Sequence, residues 1–413
     1  MQYGCIAEHL GHSFSREIHG ALADYSYELC ELTPLQLDSF LQKKDFRGIN
    51  VTIPYKTAVI PYLFEIDKAA KTIGAVNTVV NRGGKLYGYN TDFYGMSALI
   101  DHVGLSLSGK KVAVLGTGGT SHTAREVAKS MKAANVLTVS RTAKEGCITY
   151  VELTCNHSDT QIIINTTPCG MYPNPDGKAL EIAAFPALEG VIDAVYNPLR
   201  PQLVLDARAR GIPAEGGLYM LVAQAVRASE IFLDTVYSAD TAETIYRKML
   251  SEKENIVLIG MPSCGKSTVG RLIAAHTGRV FCDLDEEIVK AAGKPISEIF
   301  RTEGEQGFRD LETRVLREVA PRNSMILATG GGAILRDENV NALRRNGRLV
   351  FIDRPLEALM PTEDRPLASS REAIEKRFAE RYPRYCEVAD LRIPVSGDAE
   401  DVARKIEQEL IVT

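Results

Sequence analysis

The stretch Asn255-Ile-Val-Leu-Ile-Gly260-Met-Pro-Ser-Cys-Gly265-Lys266-Ser267 decides the fold of the second part of the chain. A short β-branched run enters a glycine-bounded turn that closes on Lys-Ser and opens a helix, which satisfies the P-loop pattern in full. In such a turn backbone N–H groups cradle phosphates, Lys266 reaches the β and γ oxygens, and the Ser267 hydroxyl can ligate Mg²⁺. Ser263, Gly265 and Thr268 complete the expected nucleotide contacts.

Working back from there, Lys111-Val-Ala-Val-Leu-Gly116-Thr-Gly118-Gly119-Thr120-Ser-His-Thr-Ala124 follows a similar logic with a different turn. Glycines let the backbone approach a pyrophosphate, and a helix amino terminus favours its charge. Ser121 stands where a third glycine is usual, so this turn read alone serves equally well as a tight strand–helix connection. The next strand, Val136–Val139, ends in Ser140-Arg141-Thr142 rather than in the acid that binds a ribose 2′-hydroxyl. A carboxylate would repel a 2′-phosphate, whereas Arg141 and the flanking hydroxyls would hold one. The expectation is NADP rather than NAD.

Two nucleotide sites fit a chain of 413 residues, longer than a single core grows. Strand and helix signals alternate throughout, which predicts an α/β protein with mostly parallel sheets. Asp240-Thr-Ala-Glu243 resembles a capping box, and Ile245, Met249 and Leu250 continue at helical spacing. The polar run Ser251–Glu254 then leads directly into the P-loop strand. The expected domains are therefore 1–250 and 251–413, with a short, stiff junction.

Bulk composition narrows the partners. Hydrophobic residues make up 45% and charged residues 24%, ordinary for a soluble globular protein. Residues 1–250 hold 23 Lys and Arg against 25 Asp and Glu, and the remainder 25 against 28, so no basic stripe exists for nucleic acid. The eight cysteines include no C-x-x-C pair, and no apolar run is long enough to span a bilayer. These features predict a cytoplasmic protein with reduced thiols, no membrane partner and small-molecule substrates.

Several polar groups stand in costly places. Gly48-Ile-Asn-Val-Thr52-Ile-Pro-Tyr-Lys56, Gly74-Ala-Val-Asn77-Thr and Gly88-Tyr-Asn-Thr-Asp92 place Lys, Asn and Asp among apolar and glycine-rich stretches, where unpaired charge is unfavourable. A Lys56/Asp92 couple in a cleft can deliver a proton to a developing alkoxide while a nicotinamide supplies hydride. In the second domain, Asp283-Leu-Asp285 reads either as capping aspartates or as one carboxylate for hydrated Mg²⁺ and one for an attacking hydroxyl. Glu305-Gln-Gly-Phe-Arg309, Gly330-Gly331-Gly332, Asp364-Arg365 and Arg381-Tyr-Pro-Arg-Tyr385 follow, and three consecutive glycines imply close backbone approach to a ligand.

Residues 1–245 resemble shikimate dehydrogenase. The matching stretches are Gly11-His-Ser13-Phe-Ser15, Asn-Val-Thr-Ile-Pro-Tyr-Lys56, Ala-Val-Asn77-Thr, Asn-Thr-Asp92, the glycine turn, Tyr196-Asn-Pro-Leu and Gly217-Leu-Tyr-Met-Leu-Val-Ala-Gln224. The resemblance implies a substrate lobe (1–100 plus 216–250) and a Rossmann NADP lobe (101–215). It implies Lys56 as acid/base with Asp92 as partner, and Ser13 and Ser15 on the substrate carboxylate. Thr52, Asn77, Tyr196 and Gln224 would take the ring hydroxyls, with Ala194 and Gly217 near the nicotinamide. Arg16 and His19-Gly20 depart from the family's Pro and His-Asn, and Lys144 replaces a second arginine, a point charge without the bidentate fork.

Residues 255–413 resemble shikimate kinase, a P-loop kinase with a parallel sheet. That resemblance implies that Asp285 orients the shikimate 3-hydroxyl, that Arg309 and Arg381 clamp the carboxylate beside the Gly331 and Gly332 backbone, and that Asp283 joins Ser267 on Mg²⁺. Arg365 would come from a lid that is several residues shorter than usual, to stabilise the transferring phosphoryl group. Together the two halves imply a bifunctional enzyme using NADPH, ATP and Mg²⁺. A decayed metabolite-sensing regulator would keep the fold but lose chemical groups, whereas Lys56, Asp92, Lys266, Ser267 and Asp285 are all retained. Quinate in place of shikimate is the remaining alternative substrate.

Overall fold

A computed structural model describes residues 1–10, 14–360 and 370–411. The chain divides into two compact units, Met1–Met249 and Leu250–Thr413. The helix Thr241–Lys253 ends one residue before strand Asn255–Ile259, so no loop of any length separates the units along the chain.

The first unit contains two sheets. In the first, the strand order is Tyr27–Glu31, Tyr3–Ala7, Gly48–Val51, Thr78–Arg82, Lys85–Tyr89, Glu65–Ile66. The pairs around Tyr3–Ala7 are parallel, whereas Thr78–Arg82 runs antiparallel to both its neighbours. Gly83 and Gly84, with φ of 60° and 81°, make the hairpin turn that this requires.

The second sheet is parallel throughout, in the order Ala214–Glu215, Gly190–Asp193, Ile162–Asn165, Lys111–Leu115, Asn135–Ser140, Ile148–Thr149. The strand order reverses between Lys111–Leu115 and Ile162–Asn165. The crevice at the carboxyl ends of those two strands is where open α/β sheets bind ligands.

Helix Thr91–Val103 carries the chain from one sheet to the other and packs along helix Leu218–Leu233. Its Met96, Leu99 and Ile100, at i, i+3 and i+4, bury one face against Val112, Val114, Ile162 and Ile164. Each such side chain contributes about 1.5–3 kcal/mol on burial. The opposite turn of this helix, its amino terminus, faces the cleft chemistry described below.

In the second unit five strands, all parallel, lie in the order Val280–Asp283, Met325–Ala328, Asn255–Ile259, Gly347–Asp353, Leu391–Pro394. Asn255–Ile259 and Met325–Ala328 are buried along their whole length, which is why they read as apolar runs and not as alternation. Helix Ile296–Val319 breaks at Gly304, whose φ is 73°. Among the described residues no helix is long and apolar enough to cross a membrane.

The departures at Arg16 and His19 have a local structural account. Arg16 Nε donates to the Tyr27 carbonyl at 3.3 Å. His19 is fully buried, stacks on Tyr27 at 3.9 Å and places Nδ1 2.5 Å from the Tyr25 hydroxyl. Burial pushes its pKa down to about 3, against a smaller opposing pull from the Asn50 side chain. The unfolded chain takes up a proton here below pH about 6.5, and the folded chain refuses it until pH about 3. Between those limits acidification favours unfolding, by up to about 1.4 kcal/mol per pH unit. His19→Gln is expected to flatten the fall in urea midpoint between pH 7 and 4.5. Parallel profiles for both proteins would show that His19 is not held neutral.

Two candidate active sites

The first site forms where the cis Ile53–Pro54 segment meets helix Thr91–Val103. Lys56 Nζ lies 2.5 Å from Asp92 Oδ2, with the two side chains only 20% and 13% exposed. Asp92 occupies the second position of its helix, where the backbone dipole favours a carboxylate. Asn90 caps that helix, accepting from Phe93 N at 3.1 Å. The ammonium is therefore held by a rigid partner while one side of the pair stays open to a ligand.

Asn77 is oriented from beneath. Its Oδ1 accepts from Thr91 N at 2.7 Å and from the Thr78 and Thr91 hydroxyls at 3.2 Å each. The acceptor is thereby used up, and Nδ2 makes no hydrogen bond among the described residues. Gln224 Nε2 donates to the carbonyl of Leu221 at 2.9 Å, and its Oε1 lies 3.3 Å from Thr91 Oγ1, whose single proton serves either this oxygen or Asn77 Oδ1. Thr91 thus orients both amides, a role that the Asn-Thr-Asp stretch contained but sequence reasoning missed.

Tyr196 is half-buried with its ring 5.5 Å from Phe14, which brings the Phe14–Ser15 segment beside it. Burial raises the Tyr196 pKa. Thr52 is half-buried and donates its N–H to Ile6. Ser13 lies outside the described residues.

The glycine turn leads into helix Gly119–Ser130, whose cap residue Gly118 offers no side chain. Its first N–H groups are therefore available to phosphate. Gly116 has φ of 110°, and a Cβ there would sit 2.9 Å from Thr166 Oγ1. Ser121 fits in place of a glycine because its buried Oγ turns back to donate to the Gly116 carbonyl at 2.7 Å. Arg141, Thr142 and Lys144 are exposed beyond strand Asn135–Ser140, with no acid among residues 139–144. Ser140 Oγ accepts from Thr142 N at 3.4 Å. A cation without a competing carboxylate fits a 2′-phosphate. At the other end of the crevice, a Cβ on Gly217 would collide with the Ala194 carbonyl, so helix Leu218–Leu233 starts hard against that loop.

The second site lies along the P-loop. Lys266 is 6% exposed, with Nζ 2.9 Å from the carbonyls of both Gly260 and Met261. Gly265 and Ser263 take φ of 104° and 65° to shape the loop, and Thr268 is exposed one turn into the helix. Ser267 Oγ donates to Asp283 Oδ2 at 2.6 Å, while Asp283 Oδ1 accepts from Asp285 N at 3.0 Å. Asp283 therefore caps a helix, one of the two readings the sequence left open, and its other oxygen pairs with the P-loop serine. Two adjacent hard oxygens there suit Mg²⁺.

The glycine triplet closes the pocket. A Cβ on Gly330 would lie 2.8 Å from Glu312 Oε1 and 2.9 Å from Asp285 Oδ1, and one on Gly332 would collide with the Arg309 guanidinium. Arg309 Nη1 donates to Glu312 Oε2 at 2.8 Å, and Arg381 Nη1 to the Gly331 carbonyl at 3.1 Å. Burial raises the Glu312 pKa and lowers that of Arg381. Glu312 Oε1 is buried, beside Asp285, without a hydrogen-bond partner among the described residues. Sequence reasoning missed Glu312, although its i+3 spacing from Arg309 on one helix was the available signal. Tyr385 bridges the Gly260 and Gly331 carbonyls at 2.9 and 2.5 Å, tying the P-loop to the triplet. Arg365 lies outside the described residues.

Comparison with known proteins follows the same division. A family model described as shikimate dehydrogenase substrate binding domain matches residues 5–79, and one described as shikimate kinase matches residues 262–411. A shikimate dehydrogenase (NADP(+)) of Clostridium perfringens is 36% identical over 275 residues, covering 60% of this chain and 97% of the relative. Among solved structures, shikimate dehydrogenase 1 from Peptoclostridium difficile superposes with a TM-score of 0.55 at 32% identity, covering 60% of this chain and 98% of that one. The shikimate 5-dehydrogenase of Thermus thermophilus, in complex with NADP(H) and shikimate, gives 0.54 at 25% identity, again covering 60% and 98%.

Proposed function

The chain belongs to the shikimate dehydrogenase family and carries a shikimate kinase domain over residues 262–411, and on that basis we propose that it makes shikimate and then phosphorylates it. The first reaction reduces 3-dehydroshikimate with NADPH. The second moves the γ-phosphoryl group of ATP to the 3-hydroxyl just formed.

In the first unit NADPH supplies the hydride. Lys56 Nζ gives a proton to the ketone oxygen as it gains charge, and Asp92 keeps the ammonium aimed. Asn77 Nδ2 donates to a ring hydroxyl, a role its fixed orientation supports. Thr52, Tyr196 and Gln224 complete the hydroxyl contacts, and Ser13 and Ser15 take the carboxylate. Arg141, with Ser140 and Thr142, holds the 2′-phosphate, and the Gly116–Thr120 turn holds the pyrophosphate.

In the second unit ATP supplies the phosphoryl group. Asp285 takes or orients the proton of the 3-hydroxyl, while Arg309 and Arg381 fix the carboxylate against the Gly331–Gly332 backbone. Glu312 holds Arg309 in place; removing one member of such a buried pair costs about 3–5 kcal/mol. Ser267 and Asp283 hold Mg²⁺, Lys266 reaches the β and γ oxygens, and Arg365 balances charge on the transferring group.

The observation that supports this reading is that one unit holds the Lys56–Asp92 pair and the other a P-loop together with Asp283, Asp285, Arg309 and Arg381. The purified chain, given 3-dehydroshikimate, NADPH, ATP and Mg²⁺, should oxidise one NADPH and release one ADP per shikimate 3-phosphate formed. No NADPH oxidation on 3-dehydroshikimate, with ADP still released on added shikimate, would reject the first half; NADPH oxidation with no ADP released on added shikimate would reject the second. Oxidation of quinate and of shikimate with NADP⁺, run in parallel, reports whether the first pocket discriminates between the two acids.

A further inference from the structure

At the carboxyl end of the parallel sheet in the first unit, beside the point where strand order reverses, Asn165 and Asp193 meet with both side chains fully buried. Asn165 Nδ2 donates to Asp193 Oδ1 and Oδ2, each at 3.0 Å. The outer atoms of the pair grip the two loops that begin there. Asn165 Oδ1 accepts from Thr167 N at 3.0 Å and from Thr167 Oγ1 at 2.7 Å. Asp193 Oδ1 accepts from Val195 N at 2.9 Å.

Those loops border opposite ends of the crevice. Thr166 and Thr167 abut Gly116, where a Cβ would lie 2.9 Å from Thr166 Oγ1 and 3.0 Å from Thr167 Cγ2. Ala194 abuts Gly217, and Tyr196 follows two residues on. We propose that the Asn165–Asp193 pair is a positioning device that sets the spacing between the cofactor turn and the Ala194–Tyr196 loop. The inference rests on the reduction proposed above and deepens it.

A role in packing alone does not account for the pair. A buried carboxylate is expensive, and apolar side chains at the ends of two neighbouring parallel strands would fill the space at lower cost. Burial in fact pushes the Asp193 pKa up to about 7, against the pull of Asn165 and the Val195 N–H. What an apolar pair cannot do is specify where Thr167 and Val195 stand. Neither residue touches substrate or cofactor in this scheme; both act through the loops.

The two residues can be exchanged, which gives the test. In the double variant N165D/D193N an Asp at 165 still accepts from Thr167 N and Oγ1, an Asn at 193 still donates across the pair, and its Oδ1 still accepts from Val195 N. Charge and volume are unchanged. N165D alone opposes two buried carboxylates. D193N alone sets one amide donor against another.

Steady-state NADPH oxidation and NADPH binding by fluorescence should be measured on the full chain, with thermal unfolding as a folding control. Expected are losses in kcat/KM for NADPH of about 100-fold for N165D and about 10-fold for D193N, with the exchange returning to within about 3-fold of wild type. If N165D does not fold, D193N and the exchange carry the comparison. Single variants that melt earlier but keep wild-type KM and kcat, or an exchange no better than D193N, would overturn the proposal. A wild-type chain that oxidises no NADPH would instead reject the proposed reaction, and NADPH affinity across the series would still read the pair.

Discussion

Lys56→Ala is expected to lower kcat for the reduction by about 10³-fold while leaving phosphorylation of added shikimate within about twofold of wild type. In the proposed reaction the lysine protonates the developing alkoxide, and a general acid contributes about 10²–10⁴-fold. Loss of the lysine leaves Asp92, only 13% exposed, without its partner, a cost above that of an exposed pair and below that of a fully buried one. Asp92 keeps its favourable place at the helix amino terminus, which offsets part of that cost. A folded protein with a lowered melting temperature and reduction lost is therefore the expected combination. Reduction within tenfold of wild type would remove Lys56 from the chemistry.

The complementary result is expected for Lys266→Ala: phosphorylation falls by about 10³-fold and NADPH oxidation is unaffected. Lys266 is nearly buried, and its ammonium is held by the Gly260 and Met261 carbonyls. Substitution therefore removes both the charge proposed to meet the β and γ oxygens and the link to the loop carbonyls. KM for ATP should rise along with the fall in kcat, since the same group serves both. The second unit has a hydrophobic core of its own, built from Ile256–Ile259, Ile326, Leu349–Ile352 and the helices that cover them. The first has separate cores on its two sheets. Loss of both activities in either variant would show that the two units do not work independently.

How far the sequence could be read depends on how local each feature is. The P-loop is a contiguous stretch whose strand, turn and helix are neighbours along the chain, so spacing alone identifies it, whereas the glycine turn needed the family resemblance as well. Ser121 looked like a defect in the second of these. Only the folded turn shows its hydroxyl directed back to the Gly116 carbonyl. Asp283 could be read as a cap or as a cation ligand; the folded chain shows the cap, with the second oxygen accepting from Ser267. Glu312 was within reach of pattern reasoning, because helical geometry sets it beside Arg309.

The amino-acid sequence by itself determined the α/β class, two nucleotide turns and the preference for a 2′-phosphate, and it offered Lys56, Asp92 and Asp285 as the candidates for the proposed chemistry, because each follows from residue type within a short window or from the family resemblance. Only the tertiary structure decided the rest. Thr91 oriented under two amides, His19 forced neutral against Tyr27, and Asn165 joined to Asp193 across 28 positions all depend on which strand ends lie side by side. That adjacency is set by burial of whole sheet faces, a property summed over many residues, which no single window of sequence contains.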